Sequence, residues 1–311
     1  MSPRELVILG TSSQAPTRHR AHVSTVLRWD DQLILFDPGE NTQRQAILAG
    51  VSTSRLTAVC ITHFHGDHCL GLPGVVQRRA LHNSVEETAL APLPIFAPAD
   101  GRVYLDRLLS CSIFHDTSDA KPHDIASEGT VGTIGNLTLS AASLDHRVTT
   151  YGYRLDEPPT RKFDKTALQE RNISGPDVGK LLSTGQLARG DEVVSVEEVT
   201  HLRTGQSMAF IMDTALCDGA GQLADGVDLM VCESTFANEE AELASRYKHL
   251  TAGQAGKLAT EAGARRLVLT HFSARYPDPT ILGDQAGEHH SDVVVAKDLM
   301  TIPVPARTPH L

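Results

Sequence analysis

The sequence predicts an α/β protein: short apolar, β-branched runs recur along the chain, each delivers polar residues where it ends, and segments of helical character lie between them. Leu56-Thr57-Ala58-Val59-Cys60-Ile61 leads straight into Thr62-His63-Phe64-His65-Gly66-Asp67-His68. Met208 to Met212 delivers Asp213, Leu229 to Cys232 delivers Glu233, and Arg266 to Thr270 delivers His271. With 311 residues, the chain is long enough for one large domain with an insertion, or for two domains.

In chain order, residues 5–10 form a first strand, followed by a Gly/Ser/Pro loop from Gly10 that ends in basic residues at Arg20. Val23 to Trp29 and Gln32 to Asp37 form a hairpin about Asp30-Asp31. Asp37 stands before a turn at Gly39 and by itself reads as the cap of a helix that runs through Gly50. Beyond the histidine-rich loop, Leu70 to about Leu90 is expected to be helical and Leu93 to Pro98 a strand. Residues 101–112 form a helix with Val103, Leu105, Leu108 and Leu109 mostly on one face. His82, His115 and His123 lack ligand-like neighbours and read as structural or exposed. The run Leu137 to Ala142 leads to His146, which on its own is a strand-end histidine and nothing more. From Asp156 to about Gly205, Pro-Pro, Gly-Pro and charged residues replace this pattern, the composition of a surface insertion. Glu239 to Tyr247 and Thr251 to Ala262 are helical, with Thr251 as a cap and His249 in the loop between them. The tail beyond Pro277 carries His289-His290, an adjacent pair poorly disposed to chelate one ion, and its last residues are expected to fray.

Residues two apart in an extended segment point the same way, so His63 and His65 can hold one ion. Gly66 lets the backbone turn and aim Asp67 and His68 at a second. Imidazole nitrogen and carboxylate oxygen suit zinc, and two ions roughly 3.5–4 Å apart can activate water and stabilise a phosphoryl transition state. Three histidines and an aspartate within six positions are not the pattern of surface or core histidines.

His-x-His-x-Asp-His after a strand resembles the signature of the metallo-β-lactamase superfamily. The wider stretch Thr62 to Gly74, with Phe36-Asp37-Pro38-Gly39-Glu40-Asn41-Thr42-Gln43-Arg44-Gln45, is similar to the ribonuclease Z family of tRNA 3′-end endonucleases. Pro38 stands where that family usually has Cys, Ala21 where it commonly has Asn after Arg20, and Cys232 departs from its commonest residue before Glu233. The resemblance spans nearly the whole chain. It implies a four-layer αβ/βα metallo-β-lactamase fold, one domain over residues 1–311 with a flexible substrate-binding arm inserted at 156–205. It also implies two zinc ions per subunit: His63, His65 and His146 hold one, Asp67, His68 and His271 the other, and Asp213 bridges them. Asp67 would act as base toward the attacking water, and His249, assisted by Glu233, as acid toward the leaving 3′ oxygen. Precursor tRNA is the implied partner, cut to a tRNA 3′-hydroxyl and a trailer 5′-phosphate, and a homodimer the implied assembly. Substrate contacts fall on Arg18, Arg20 and Arg275 near the metal site and on Arg161, Lys162, Gly175, Pro176 and Lys180 in the arm, which would grip the tRNA elbow.

The formal net charge of −10 argues against indiscriminate binding of polyanions, so an RNA enzyme with this composition needs its cations gathered locally. Arg154, Arg161, Lys162, Lys165, Arg171, Lys180 and Arg189 supply such a run. Cys60, Cys69, Cys111, Cys217 and Cys232 are odd in number, far apart and without a Cys-x-x-Cys pair, so they read as reduced thiols rather than disulfides or zinc ligands. The start does not resemble a signal peptide and no apolar run approaches a membrane span, which places the expected protein in the cytoplasm. Two other readings share the motif: a dinuclear zinc phosphodiesterase for small cyclic or aryl phosphodiesters, and a non-catalytic RNA-binding scaffold. The intact ligand set argues against the scaffold.

Overall fold

A computed structural model describes residues 4–85, 90–190 and 192–307. The chain divides into two compact units, Met1–Asp156 with Ser207–Ala306, and Glu157–Gln206 with Arg307–Leu311.

The first unit is built on two seven-stranded sheets. One contains β1 (Arg4–Gly10), β2 (Ser24–Trp29), β3 (Gln32–Phe36), β4 (Ala58–Cys60), β5 (Leu93–Pro98) and β6 (Ala120–Ile125), in that spatial order, with β18 (Thr301–Pro303) outside β1. The other contains β7 (Gly129–Ile134), β8 (Leu137–Leu144), β9 (Thr150–Asp156), β14 (Ser207–Ile211), β15 (Leu229–Glu233), β16 (Leu267–Thr270) and β17 (Val293–Val295). β3 through β6 are parallel, as are β14 through β17, and the remaining pairs are antiparallel.

Side chains alternate across each strand, and here both faces are buried, which is why the strands read as continuous apolar runs. Leu6, Ile8, Ile34 and Phe36 point inward to meet Leu139, Tyr153, Phe210 and Val231 of the facing sheet. Val7, Leu9, Val26 and Leu35 point outward against α1 (Thr42–Leu48), α3 (Leu72–Val85) and α4 (Arg102–Leu109). On the far side, Ala209, Ile211, Met230 and Leu269 pack against α7 (Asp218–Ala224), α9 (Ala252–Glu261) and α10 (Thr280–Gly287). The result is the expected four layers, helix, sheet, sheet, helix. Tyr153 on β9 donates its hydroxyl to the carbonyl of Ile61 at 2.7 Å, and Tyr151 N donates to Thr62 O at 3.0 Å. These two bonds tie the second sheet to the loop that leaves β4.

Several local expectations change. Asp37 caps no helix: α1 starts after Asn41, and the Asp37 carboxylate instead accepts from Thr62 N and Oγ1 at 2.7 and 2.8 Å. The helix expected from Leu70 begins earlier, as the short α2 (Gly66–Cys69), then breaks before α3; residues 86–89 of that expectation lie outside the described residues. The helix expected at 101–112 stops at Leu109, and Val103 is exposed while Leu105 is buried. The segment beyond Pro277 folds back onto the start of the chain. Asp298 accepts from Thr11 Oγ1 and Ala21 N, both at 2.7 Å, and β18 pairs with β1, so the C-terminal segment clamps the loop after β1. The residues expected to fray, 308–311, lie outside the described residues. His290 is buried against Thr260, with Nδ1 3.1 Å from Oγ1, and takes no part in the site.

The second unit has a small core of its own, made of Ile173, Leu181, Leu187, Val194, Val196 and Val199. Its elements are β10 (Thr160–Phe163) paired with β13 (Thr200–Arg203), α5 (Lys165–Glu170), α6 (Pro176–Thr184) and the hairpin of β11 (Gln186–Arg189) with β12 (Glu192–Ser195). Its ends meet where Glu157 N donates to Gln206 O at 2.9 Å. Gly205 permits that closure, since a Cβ there would lie 1.7 Å from the carbonyl oxygen of Glu157. Gly175, at φ +54°, and Pro176 form the start of α6, where proline is favoured. The cation run is partly spent on partners: Arg161 pairs with Glu197 at 2.9 Å, Arg171 with Glu198 and Arg189 with Asp177, both at 2.8 Å. Residues 157–206 carry eight acidic against seven basic side chains, so the segment is not basic on balance. Arg154 belongs to the first unit, where it binds Asp156 and the carbonyls of Leu223 and Asp225. Among the described residues, Lys162, Lys165 and Lys180 form no ion pair.

Removing the Tyr153 hydroxyl leaves a buried carbonyl short of a donor, so Tyr153→Phe is expected to lower unfolding free energy by about 1–2 kcal/mol. Urea denaturation measures this; an unchanged midpoint would mean that the tie between β9 and the loop after β4 contributes nothing.

Candidate metal centre

The strands deliver their polar residues to one end of the two sheets. β3 is followed by Asp37, β4 by His63, His65, Asp67 and His68, β8 by His146, β14 by Asp213, and β16 by His271. Three of these strand-end residues lie in left-handed backbone, Asp37 at φ 44°, Asp213 at 39° and His271 at 61°. Asp and His tolerate that region better than branched residues do, but it still costs energy that the packing around a site must hold. The turn after Asp37 fits beneath the motif: a Cβ on Gly39 would lie 2.2 Å from Asp67 O, and Gly71 N donates to Pro38 O at 2.8 Å.

The side chains form two groups joined by one carboxylate. Asp213 Oδ2 lies 3.6 Å from His63 Nε2 and 3.7 Å from His146 Nε2. Its other oxygen, Oδ1, lies 3.3 Å from His68 Nε2 and 3.1 Å from His271 Nε2. His65 Nδ1 completes the first group, 2.8 Å from His63 Nε2 and 3.4 Å from His146 Nε2. Asp67 completes the second, with Oδ2 3.4 Å from both His68 and His271. Ligand atoms of His63, His65, His146 and Asp213 lie within 4.8 Å of one another, and so do those of Asp67, His68 and His271.

Two observations indicate that this donor set suits a divalent metal. First, His68 Nε2, His271 Nε2 and Asp213 Oδ1 are buried without a hydrogen-bond partner although they face one another. Buried polar atoms are rarely left unpaired, and a shared cation satisfies all three. Second, the opposite ring nitrogens are anchored. His68 Nδ1 meets Asp37 Oδ2 at 2.8 Å, His271 Nδ1 meets Thr235 Oγ1 at 2.9 Å, His63 Nδ1 meets Thr62 Oγ1 at 3.0 Å, and His146 Nδ1 meets Lys248 O at 3.0 Å. Each contact orients its ring so that Nε2 points to the centre, the arrangement that outer partners impose on metal-binding imidazoles. Burial, reinforced by the neighbouring imidazole of His68, holds His63 well below its ordinary pKa, and burial lowers His65 and His146 as well. These rings are therefore neutral, the form that can donate a lone pair.

Beside the two groups, His249 Nδ1 lies 2.9 Å from Glu233 Oε1. Glu233 is fully buried and is held by Thr214 N at 2.7 Å and by the hydroxyl of Thr235 at 2.5 Å. Burial pulls the His249 imidazole down, but Glu233 and Asp213 outweigh it and push its pKa up to about 9. A cleft of about 790 Å³ is lined by His65, Asp67, His146, Asp213, His249 and His271.

The remaining expected contacts separate. Arg275 lines this cleft, whereas Arg18 lines a second cavity of about 490 Å³. Arg20 is not available to a phosphate: it is buried and gives Nη1 to Tyr276 O at 2.7 Å and Nη2 to Ser273 O at 3.0 Å, so it fastens the loop after β1 to the segment after His271. Arg161, Lys162, Gly175, Pro176 and Lys180 belong to the second unit. Sequence reasoning missed the anchoring roles of Asp37, Thr62 and Lys248. The strand-end position of Asp37, shared with Asp213, was the available signal; a backbone carbonyl such as that of Lys248 leaves none.

Known proteins are similar to this chain over nearly its whole length. The family model for the metallo-beta-lactamase superfamily matches residues 17–163, and that for a beta-lactamase superfamily domain matches residues 193–272. Ribonuclease Z of Salinispora arenicola (strain CNS-205) is 49% identical over 308 residues, which cover 99% of this chain and 98% of that protein. Ribonuclease Z of Nocardia farcinica (strain IFM 10152) is 47% identical over 309 residues, 99% of this chain and 100% of that one. The crystal structure of human tRNase Z, short form, shares the fold with a TM-score of 0.70 over 97% of this chain and 100% of its own, at 23% identity. By its full-length identity to these relatives, the chain belongs to the ribonuclease Z family.

Proposed function

We propose that this chain is a zinc-dependent endoribonuclease that removes the 3′ trailer from precursor tRNA, leaving a 3′-hydroxyl on the tRNA and a 5′-phosphate on the trailer. One observation carries the reading: Asp213 offers one oxygen to each of two imidazole groups, with the Glu233–His249 pair beside them in the same cleft. Family membership supplies the substrate class.

In this reading His63, His65 and His146 would hold one zinc and Asp67, His68 and His271 a second, with Asp213 offering one oxygen to each group. The pair would supply Lewis-acid polarisation of the attacking water and of the phosphoryl oxygens. Burial would raise the Asp67 carboxyl, but His68 and His271 outweigh it and hold it well below the usual range, so it stays ionised and faces the cleft, where it would accept a hydrogen bond from the attacking water. Glu233 takes the Nδ1 side of His249, which leaves Nε2 to deliver a proton to the leaving 3′ oxygen. The segment 157–206 acts as the substrate-binding arm, with Lys162 and Lys180 as its phosphate contacts, because both are exposed and neither is paired with an acid among the described residues. The proposal extends to a cytoplasmic homodimer. Ile47 and Leu48 on α1, with Leu81 and Val85 on α3, are apolar and at least half exposed, a face that a second copy would cover.

The test is to incubate the metal-analysed protein with a precursor tRNA carrying a 3′ trailer and to map the products. A single cut after the discriminator base, with two zinc ions per chain, supports the proposal; diester hydrolysis without a tRNA cut would replace it with a small-molecule phosphodiesterase. His65→Ala is expected to lose metal and all turnover together, whereas full metal content with activity lost would remove His65 from the ligand set. His249→Ala should slow tRNA cleavage roughly 10²–10⁴-fold. It should slow a bis(p-nitrophenyl) phosphate substrate far less, because nitrophenolate departs without a proton; equal losses on both would contradict the acid role. Lys180→Ala should weaken tRNA binding and flatten the slope of log affinity against log salt by about 1, with the single-turnover rate at saturating RNA unchanged. A lower saturated rate would count against an arm that only binds.

A further inference from the structure

One wall of the cleft is neither acidic nor metal-binding. Tyr247 and Arg147 stand there together, with the Arg147 Cζ 4.7 Å from the centre of the tyrosine ring. Nη2 of Arg147 donates to Arg246 O at 3.0 Å, which fixes the guanidinium against that ring. The Phe236 ring lies within 13° of parallel to Tyr247, at 6.5 Å between centroids, and Arg275 sits 5.2 Å over Phe236. Aromatic residues make up only 5% of this chain, and Tyr247 is 37% exposed, so its ring is not spent on core packing.

Chain connectivity gives this wall its position. Arg147 follows the ligand His146, and Tyr247 precedes His249 by two residues. The two loops are pinned to each other: Lys248 O accepts from His146 Nδ1 at 3.0 Å, and Lys248 Nζ meets Asp145 Oδ2 at 2.9 Å. The ledge is therefore rigid and lies on the side of the cleft from which His249 would reach the leaving oxygen.

Resting on the tRNA-cleavage reading, we propose that Arg147 and Tyr247 form a stacking ledge for the unpaired base of the nucleotide whose 3′ oxygen leaves. A flat π-cation surface accepts any base, so the ledge would select for a single-stranded, unstacked nucleotide at the cut rather than for its identity. It also places positive charge beside a centre that holds Asp67, Asp213 and Glu233, easing the approach of a polyanion to a chain of net charge −10.

The test uses the full chain with two precursor tRNAs, one intact and one abasic at the nucleotide just 5′ of the cut, and compares native protein, Tyr247→Phe and Tyr247→Ala by single-turnover cleavage below saturation. Removing the base should slow the native protein roughly tenfold, and Tyr247→Ala should slow the intact substrate by a similar factor. Tyr247→Ala should impose no further loss on the abasic substrate, and Tyr247→Phe should behave as native. Equal losses from Tyr247→Ala on both substrates would show a merely structural role and overturn the ledge, as would an intact substrate cut at the native rate. A native protein that cuts neither RNA would overturn the tRNA-cleavage reading and the ledge with it.

Discussion

The rest of the structure depends on the convergence of imidazole and carboxylate lone pairs around Asp213. His63, His68 and His271 are essentially inaccessible to water, yet three of the atoms at this centre find no hydrogen-bond partner. Such crowding is costly unless a cation resolves it, and four of its rings, His63, His68, His146 and His271, are gripped from behind. The grips come from Asp37, Thr62, Thr235 and a backbone carbonyl, contributed by both sheets. The two facing sheets are therefore the device that brings opposed sets of ligands to one point. The inner-face core and the bond from Tyr153 to Ile61 keep those sets in register.

Strain accompanies that precision. Asp37, Asp213 and His271 each leave a strand in left-handed backbone, a sharper exit than extended geometry permits. The turn lets a residue at a strand end reach the neighbouring loops, as Asp37 does to Thr62 and His68. The cost is met by neighbours packed tightly enough to leave no alternative, as at Gly39, where even a methyl group would strike the backbone of Asp67.

The electrostatics divide the labour. A chain of net charge −10 has no general attraction for RNA, and the inserted segment does not change that, because most of its arginines are matched by acids nearby. Attraction must then be local: a few exposed lysines in the second unit, and Arg147 at the cleft, where Arg275 is paired with Glu240. Pairing of this kind disfavours indiscriminate binding and leaves recognition to the few cations whose positions match a phosphate or a base.

Sequence alone determined the strands that end in candidate metal donors, most of the helices between them and the donor types, because a buried strand shows as an apolar run and a metal motif as several donors within six positions. Composition placed an insertion at 156–205, and the second compact unit takes in Glu157–Gln206 together with Arg307–Leu311. Tertiary structure alone decided which donors share a centre, that Asp37 orients His68 instead of capping a helix, and that Arg20 is consumed by the carbonyls of Ser273 and Tyr276. It likewise decided that β18 returns to clamp the first strand and that Arg147 meets Tyr247. The physical reason is common to all of these. Local pattern records which side chains a segment buries, but the partner of a buried polar group is chosen across separations of tens to hundreds of residues, where only the packed sheets determine who meets whom.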